Sequence, residues 1–141
     1  ELHYRLLLYY ENCRSMSKPT DSELAILQIL WDKGEASVKE VHEELNAGRP
    51  DEKAYTTTLK ILQIMKDKGL VEREAQGRKH IYRPSSQKKE TQKQLIQDLL
   101  LSAFKGSTSA LVMQALGSSD TSEEELEEIK SLIEKMQKTR K

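Results

Sequence analysis

Residues 54–83, AYTTTLKILQIMKDKGLVEREAQGRKHIYR, hold the side chains of this chain best suited to chemistry. Tyr55, Thr56, Thr57, Thr58 and Lys60 front a helical pattern, and Arg78-Lys79 sit in a glycine turn beyond it. Three consecutive threonines cost helix propensity, so something other than helix stability keeps them there. Their hydroxyls can hydrogen-bond base edges and their methyls can meet a thymine methyl. Such a helix can enter a DNA major groove while the basic turn behind it rests on neighbouring phosphates. The chemistry offered is recognition.

Catalysis finds little to stand on. The sequence has no glycine-rich phosphate loop, no paired nucleophile and base, and no metal-ligand constellation. His42 and His80 are far apart and lack cysteine or carboxylate company at ligand spacing. The carboxylates gather in helix caps and on solvated faces, as from Glu123 to Glu128. No cofactor or metal is expected, and the chain reads as a non-enzyme.

The elements that must position the recognition residues can be read in order. Thr20 with Glu23 forms a capping box, opening a helix with an apolar stripe from Leu24 to Trp31 that stops at Gly34. Trp31 reads as core. A second box at Ser37 and Glu40 opens a shorter helix carrying Val38, Val41 and Leu45, which leaves through the turn-rich Asn46–Pro50. The third helix runs to Lys68-Gly69 with Leu59, Leu62 and Met65 on its inner side. Two alternating runs, Leu70–Ala75 and His80–Pro84, flank the turn Gln76–Lys79 as a hairpin. Three helices and a hairpin make a winged helix-turn-helix, with the third helix as reader.

Beyond Ser85-Ser86 the composition changes. Lys88 to Phe104 reads as one helix broken at Gly106-Ser107, and a short apolar helix follows around Ala110–Leu116. Gly117–Thr121 reads as a loop. A last helix, capped by Thr121 or Ser122, carries Leu126, Ile129, Leu132, Ile133 and Met136 at helical spacing. About fifty residues with stripes this apolar cannot close a core unaided. A second copy is the natural cover, through Leu95, Leu99, Phe104, Leu111, Val112, Leu116, Leu126, Ile129 and Ile133. An intramolecular bundle is the alternative.

Domain expectations follow. Residues 16–86 form the winged-helix domain and 87–141 the helical dimerisation domain, giving a mainly α fold with a small β-hairpin wing. Residues 1–15 differ in composition from the rest, and Met16 looks like a chain start, so they read as a non-native segment or an upstream extension. The net charge of zero conceals an asymmetry. Residues 16–48 carry three basic and seven acidic side chains, whereas residues 49–84 carry nine and five. A local basic surface is the footprint of phosphate binding, although charge also merely solvates surfaces. With aromatics at 5% the core must be aliphatic. One cysteine, Cys13, rules out an internal disulfide and suits a reducing cytoplasm. No apolar run reaches the roughly 18 residues of a membrane span.

The ordered motifs TDSELAILQILW (20–31), VKEVHEEL (38–45), AYTTTLKILQIMKDKGLV (54–71) and GRKHIY (77–82) resemble the penicillinase-repressor family. That family comprises bacterial regulators of β-lactamase and methicillin-resistance genes and copper-responsive relatives. The resemblance continues through AFKGS (103–107) and SALV (109–112). It implies a homodimeric transcriptional repressor on a palindromic promoter operator, with a protease or sensor as a further partner. By position it places Tyr55, Thr56, Thr57, Thr58 and Lys60 where the family contacts DNA. Thr57 is favoured for bases, with Tyr55 and Thr58 nearer the backbone. The competing reading packs Tyr55 and one threonine against the second helix. Lys53, Lys60, Arg78 and Lys79 are expected at phosphates. Two departures stand out. The tail Lys135–Lys141 lacks the cysteine-rich hook of the copper branch, and the Asn-Phe bond cleaved in the resistance branch aligns with Gln114-Ala115. A winged helix that binds protein instead of DNA is the alternative function.

Overall fold

The computed structural model describes residues 4–5, 18–49 and 54–140. Among these, the chain forms α1 (Asp21–Lys33), β1 (Ala36–Ser37), α2 (Val38–Asn46), α3 (Tyr55–Asp67), β2 (Val71–Gln76), β3 (Lys79–Pro84), α4 (Lys88–Phe104), α5 (Thr108–Ser118) and α6 (Glu123–Thr139). It is a mainly α fold with a small antiparallel sheet: a winged helix followed by a helical C-terminal region. Apart from Tyr4 and Arg5, the reading of residues 1–15 falls outside the described residues, and so does Lys53.

The capping box expected at Thr20 forms in full. Thr20 Oγ1 accepts from the Glu23 amide at 3.3 Å, and the Thr20 amide donates to Glu23 Oε1 at 3.0 Å. The second is half a box. Ser37 Oγ caps the Glu40 amide, but the Glu40 carboxylate turns to the Ser37 hydroxyl at 3.3 Å.

Gly34 ends α1 with φ +85°, a left-handed step that glycine takes without a Cβ penalty. The step leads directly into β1, a two-residue strand that the sequence reading missed. β1 pairs antiparallel with β3, Ala36 opposite Tyr82 and Ser37 opposite Ile81, giving the sheet order β1-β3-β2. The hairpin register runs from Val71–Pro84 to Gln76–Lys79, so two residues, Gly77 and Arg78, make the turn. Gly77 carries φ +64° at the first central position, where a two-residue II′ turn requires a positive value.

Helical and strand periodicities converge on one core, aliphatic on its helical side but not, as composition suggested, throughout. Ile26, Leu27 and Leu30 of α1 meet Val38 and Val41 of α2, Leu62 and Met65 of α3, Ala36 and Val71, all buried. Tyr82, fully buried, fills the sheet side of this cluster. Only Val71 of β2 is buried, so the rest of that strand is an exposed ribbon held by its ladder to β3. Arg83 braces it with ion pairs to Glu74 on β2 and, at 3.3 Å, to Glu35 ahead of β1. Trp31 is half-buried at the core margin. Its indole Nε1 donates to the Ser86 carbonyl at 3.0 Å, joining the end of α1 to the chain leaving the wing.

The chain separates into two compact units, divided between Asp98 and Leu99. The division falls within α4, not at the 86/87 boundary expected from composition. Thr91 of α4 is buried, a position whose polar type gave no sign of it. In the second unit Lys105 (φ 51°) and Gly106 (φ 82°) turn the chain sharply, and Ser107 caps α5 through the Ala110 amide. Helix α5 continues through Gly117 to Ser118, where a loop had been expected. The hydroxyls of Ser118 and Ser119 cap its last turn by donating to the carbonyls of Gln114 and Ala115. Ser122, rather than Thr121, caps α6.

Candidate nucleic-acid interface

Helix α3 carries the residues expected to recognise DNA, and its burial pattern divides them. At about 100° per residue, Gln63, Thr56, Asp67, Lys60, Ile64 and Thr57 span one outward arc of roughly 120°. All six are exposed. The opposite arc holds Thr58, Leu62 and Met65, all buried, with Leu59 and Ile61 half-buried at its edges. Thr56 and Lys60 therefore lie at mid-face and Thr57 at the rim. Gln63 was missed by the sequence reading, which concentrated on the first turn. Its spacing of seven residues from Thr56 was the available signal.

Thr58 requires a correction. It is 1% exposed, and its side chain points into the domain instead of toward solvent. Its Oγ1 lies 3.1 Å from His42 Nδ1 on α2. Asn46 Nδ2 approaches the same ring nitrogen at 3.1 Å and donates to the His42 carbonyl at 3.0 Å. The same amide nitrogen also lies 3.2 Å from Nε2, and the Thr58 hydroxyl and Nδ1 pair as donor and acceptor in the order the imidazole tautomer sets. Thr58 is thereby removed from the set of groups that can touch DNA.

Tyr55 stands between the two alternatives. It is 47% exposed, yet its ring meets the His42 imidazole edge-on, with centroids 5.4 Å apart and planes at 74°. The first turn of α3 thus leans on α2 through a single imidazole. That turn has no side-chain cap of its own, since Ala54 stands at the N-cap position.

At the other end of α3, Lys68 Nζ reaches Glu23 Oε1 at 2.7 Å. Burial pushes the Glu23 carboxyl up, but hydrogen bonds from Lys68 and from the backbone and hydroxyl of Thr20 outweigh it. The carboxyl is held below its ordinary value. Arg78 and Lys79 occupy the wing tip, and both are exposed. The described residues contain no group of three or more His, Cys, Asp or Glu side chains arranged to hold a metal ion.

The apolar positions expected to cover one another across a dimer are incompletely buried within the chain. Leu95, Phe104, Leu111, Leu116 and Ile129 are half-buried, whereas Leu99, Val112, Leu126 and Ile133 are exposed. Neither α5 nor α6 contains a buried residue. Among the described residues no single helix is long and apolar enough to cross a membrane.

Comparison with known proteins places relatives beside this chain. Two curated proteins described as transcriptional regulator BlaI, from Mycobacterium tuberculosis strains CDC 1551 and H37Rv, are each 37% identical over 84 residues. Each match spans 59% of this chain and 59% of the relative's length. The crystal structure of an ArsR family transcriptional regulator is similar at TM-score 0.40 and 19% identity, over 71% of this chain and 82% of that one. The family model for the penicillinase repressor matches residues 19–135, from the cap of α1 into α6. The match takes in the helices, the wing and the C-terminal region together, and the chain belongs to the penicillinase repressor family.

Proposed function

We propose that this chain is a transcriptional repressor that binds double-stranded DNA as a homodimer, on a palindromic promoter operator in the bacterial cytoplasm. The observation that carries the reading is the outward arc of α3. Thr56, Thr57, Lys60 and Gln63 are the hydrogen-bonding and cationic types that read base edges and phosphates in a major groove. Arg78 and Lys79 supply phosphate contacts from the wing, adding affinity without sequence information.

Dimerisation accounts for the C-terminal unit. Its stripes at Leu99, Val112, Leu126 and Ile133 would expose apolar surface that a second copy can cover. Two reading helices related by a two-fold axis engage half-sites about one helical turn apart, roughly 34 Å. Release follows from the same design. A cut within α5, whose Met113, Gln114 and Ala115 are exposed, would separate α6 from the rest of the interface. A protease acting there would lower DNA affinity by dissolving the dimer.

The test is selection of duplexes by the full chain from a random-sequence pool, followed by titration of the selected duplex at several salt concentrations. Enrichment of a palindrome, with steep loss of affinity as salt rises, supports the reading. Failure to enrich any duplex at low salt overturns it in favour of a protein-binding winged helix.

A further inference from the structure

We propose that His42 is a positioning residue for DNA reading: it touches no base, but its imidazole sets where the first turn of α3 presents Thr56 and Thr57. This rests on the DNA-binding reading above and adds a residue outside the reading face.

Three observations converge on the imidazole. First, α3 begins without a side-chain cap, so its first turn lacks the usual local restraint. Second, the two residues flanking the Thr56-Thr57 pair, Tyr55 and Thr58, both contact the His42 ring, one by its edge-on ring and the other by its hydroxyl. Third, Thr58 is buried beside an aliphatic core where valine would have the same shape and no hydroxyl to satisfy. A hydroxyl retained there specifies an orientation, because a hydrogen bond is directional and dispersion contact is not.

His42 is itself held. Asn46, one turn along α2, donates to its carbonyl and approaches its ring nitrogen, and the helix that carries both is capped at Ser37. The imidazole is thus a fixed reference against which the front of α3 is aligned. Base contacts demand this alignment, because paired donors and acceptors tolerate little displacement. Phosphate contacts by long cationic side chains tolerate far more.

The experiment compares two duplexes of equal length, one selected by the wild-type chain from a random pool and one scrambled. His42→Phe keeps a ring for Tyr55 and removes the hydrogen-bond partner of Thr58. It is expected to weaken binding to the selected duplex by about tenfold, the scale of one lost hydrogen bond, and to leave the scrambled duplex nearly unchanged. His42→Asn, which restores a hydrogen-bonding group near the Nδ1 position, is expected to recover most of the loss. Thr58→Val should reproduce the His42→Phe defect and Thr58→Ser should not, which keeps the test decisive if a His42 variant folds poorly. Equal losses on both duplexes, no loss on either, or no recovery by His42→Asn and Thr58→Ser would overturn the proposal. If the wild-type chain selects no duplex at all, the DNA-binding reading fails instead.

Discussion

Glu23 and Lys68 join the first turn of α1 to the end of α3 across 2.7 Å, and the same carboxylate oxygen also accepts the Thr20 amide. One group therefore closes a helix cap and fixes the far end of the proposed reading helix. The Glu23 side chain is nearly sealed from solvent while that of Lys68 is about one-third exposed.

This pair carries a pH dependence with a definite sign. The folded-state carboxyl sits below its ordinary value, so its contribution to stability is complete above the ordinary carboxylate range. The contribution disappears as pH falls through the lowered folded-state value. Urea melts of the wild type should weaken on acidification in that window. Glu23→Gln should flatten this part of the profile, and an unchanged profile would refute the assignment.

Removing the cation alone should be worse than removing a surface charge. Lys68→Ala leaves a buried carboxylate whose other oxygen, Oε2, already lacks a partner among the described residues. A cost of about 2 kcal/mol is expected, below the roughly 3–5 typical of fully buried pairs because Lys68 is partly solvated. Thermal or urea denaturation measures it directly.

The outward arc of α3 predicts a graded loss of DNA affinity. Thr57→Ala with Lys60→Ala should weaken binding to a selected duplex by about 10- to 100-fold, from one base-edge contact and one phosphate contact. Thr56→Ala and Gln63→Ala should shift base preference as well as affinity, since both project from the same arc. Unchanged affinity in the double variant, measured by anisotropy titration, would move the reading surface off α3.

The wing tip should behave differently. Arg78→Ala and Lys79→Ala are expected to lower affinity evenly across sequences and to reduce the salt slope by about 0.9 each. Both side chains are exposed, so melting temperature should hardly change. A change in sequence preference would argue that the wing reads bases.

Charge placed in the C-terminal stripes should separate assembly from folding. Leu126→Glu and Ile133→Glu put carboxylates at exposed positions of α6, so the winged helix should remain intact. Sedimentation should show a shift from dimer to monomer, with loss of tight binding to a palindrome. A variant that remains dimeric would place the interface elsewhere.

Much of this was legible in the residues. The box at Thr20 and Glu23, the stop at Gly34 and the turn at Gly77 each depend on a few neighbouring side chains, and the helix over Lys88–Phe104 follows from periodicity. What escaped has more than one cause. β1 is two residues long, too short for any period, and exists because Gly34 folds the chain back along β3. Thr58 lies four and seven residues before Leu62 and Met65, so helical spacing already put it on the buried face, but its residue type matched Thr56 and Thr57 and hid this. Gly117 is helical where a glycine suggested a break, with the Ser118 and Ser119 hydroxyls bonded to carbonyls one turn back.

The bond from the Trp31 indole to the Ser86 carbonyl has an experimental use. This chain has one tryptophan, so its intrinsic emission is a single-site signal. The fluorophore sits where the wing hands over to α4 and is hydrogen-bonded to that junction. Loosening there should red-shift the spectrum as the indole gains water. The same unlabelled sample can then be followed during DNA titration and during protease treatment, with an optical reporter already built into the fold.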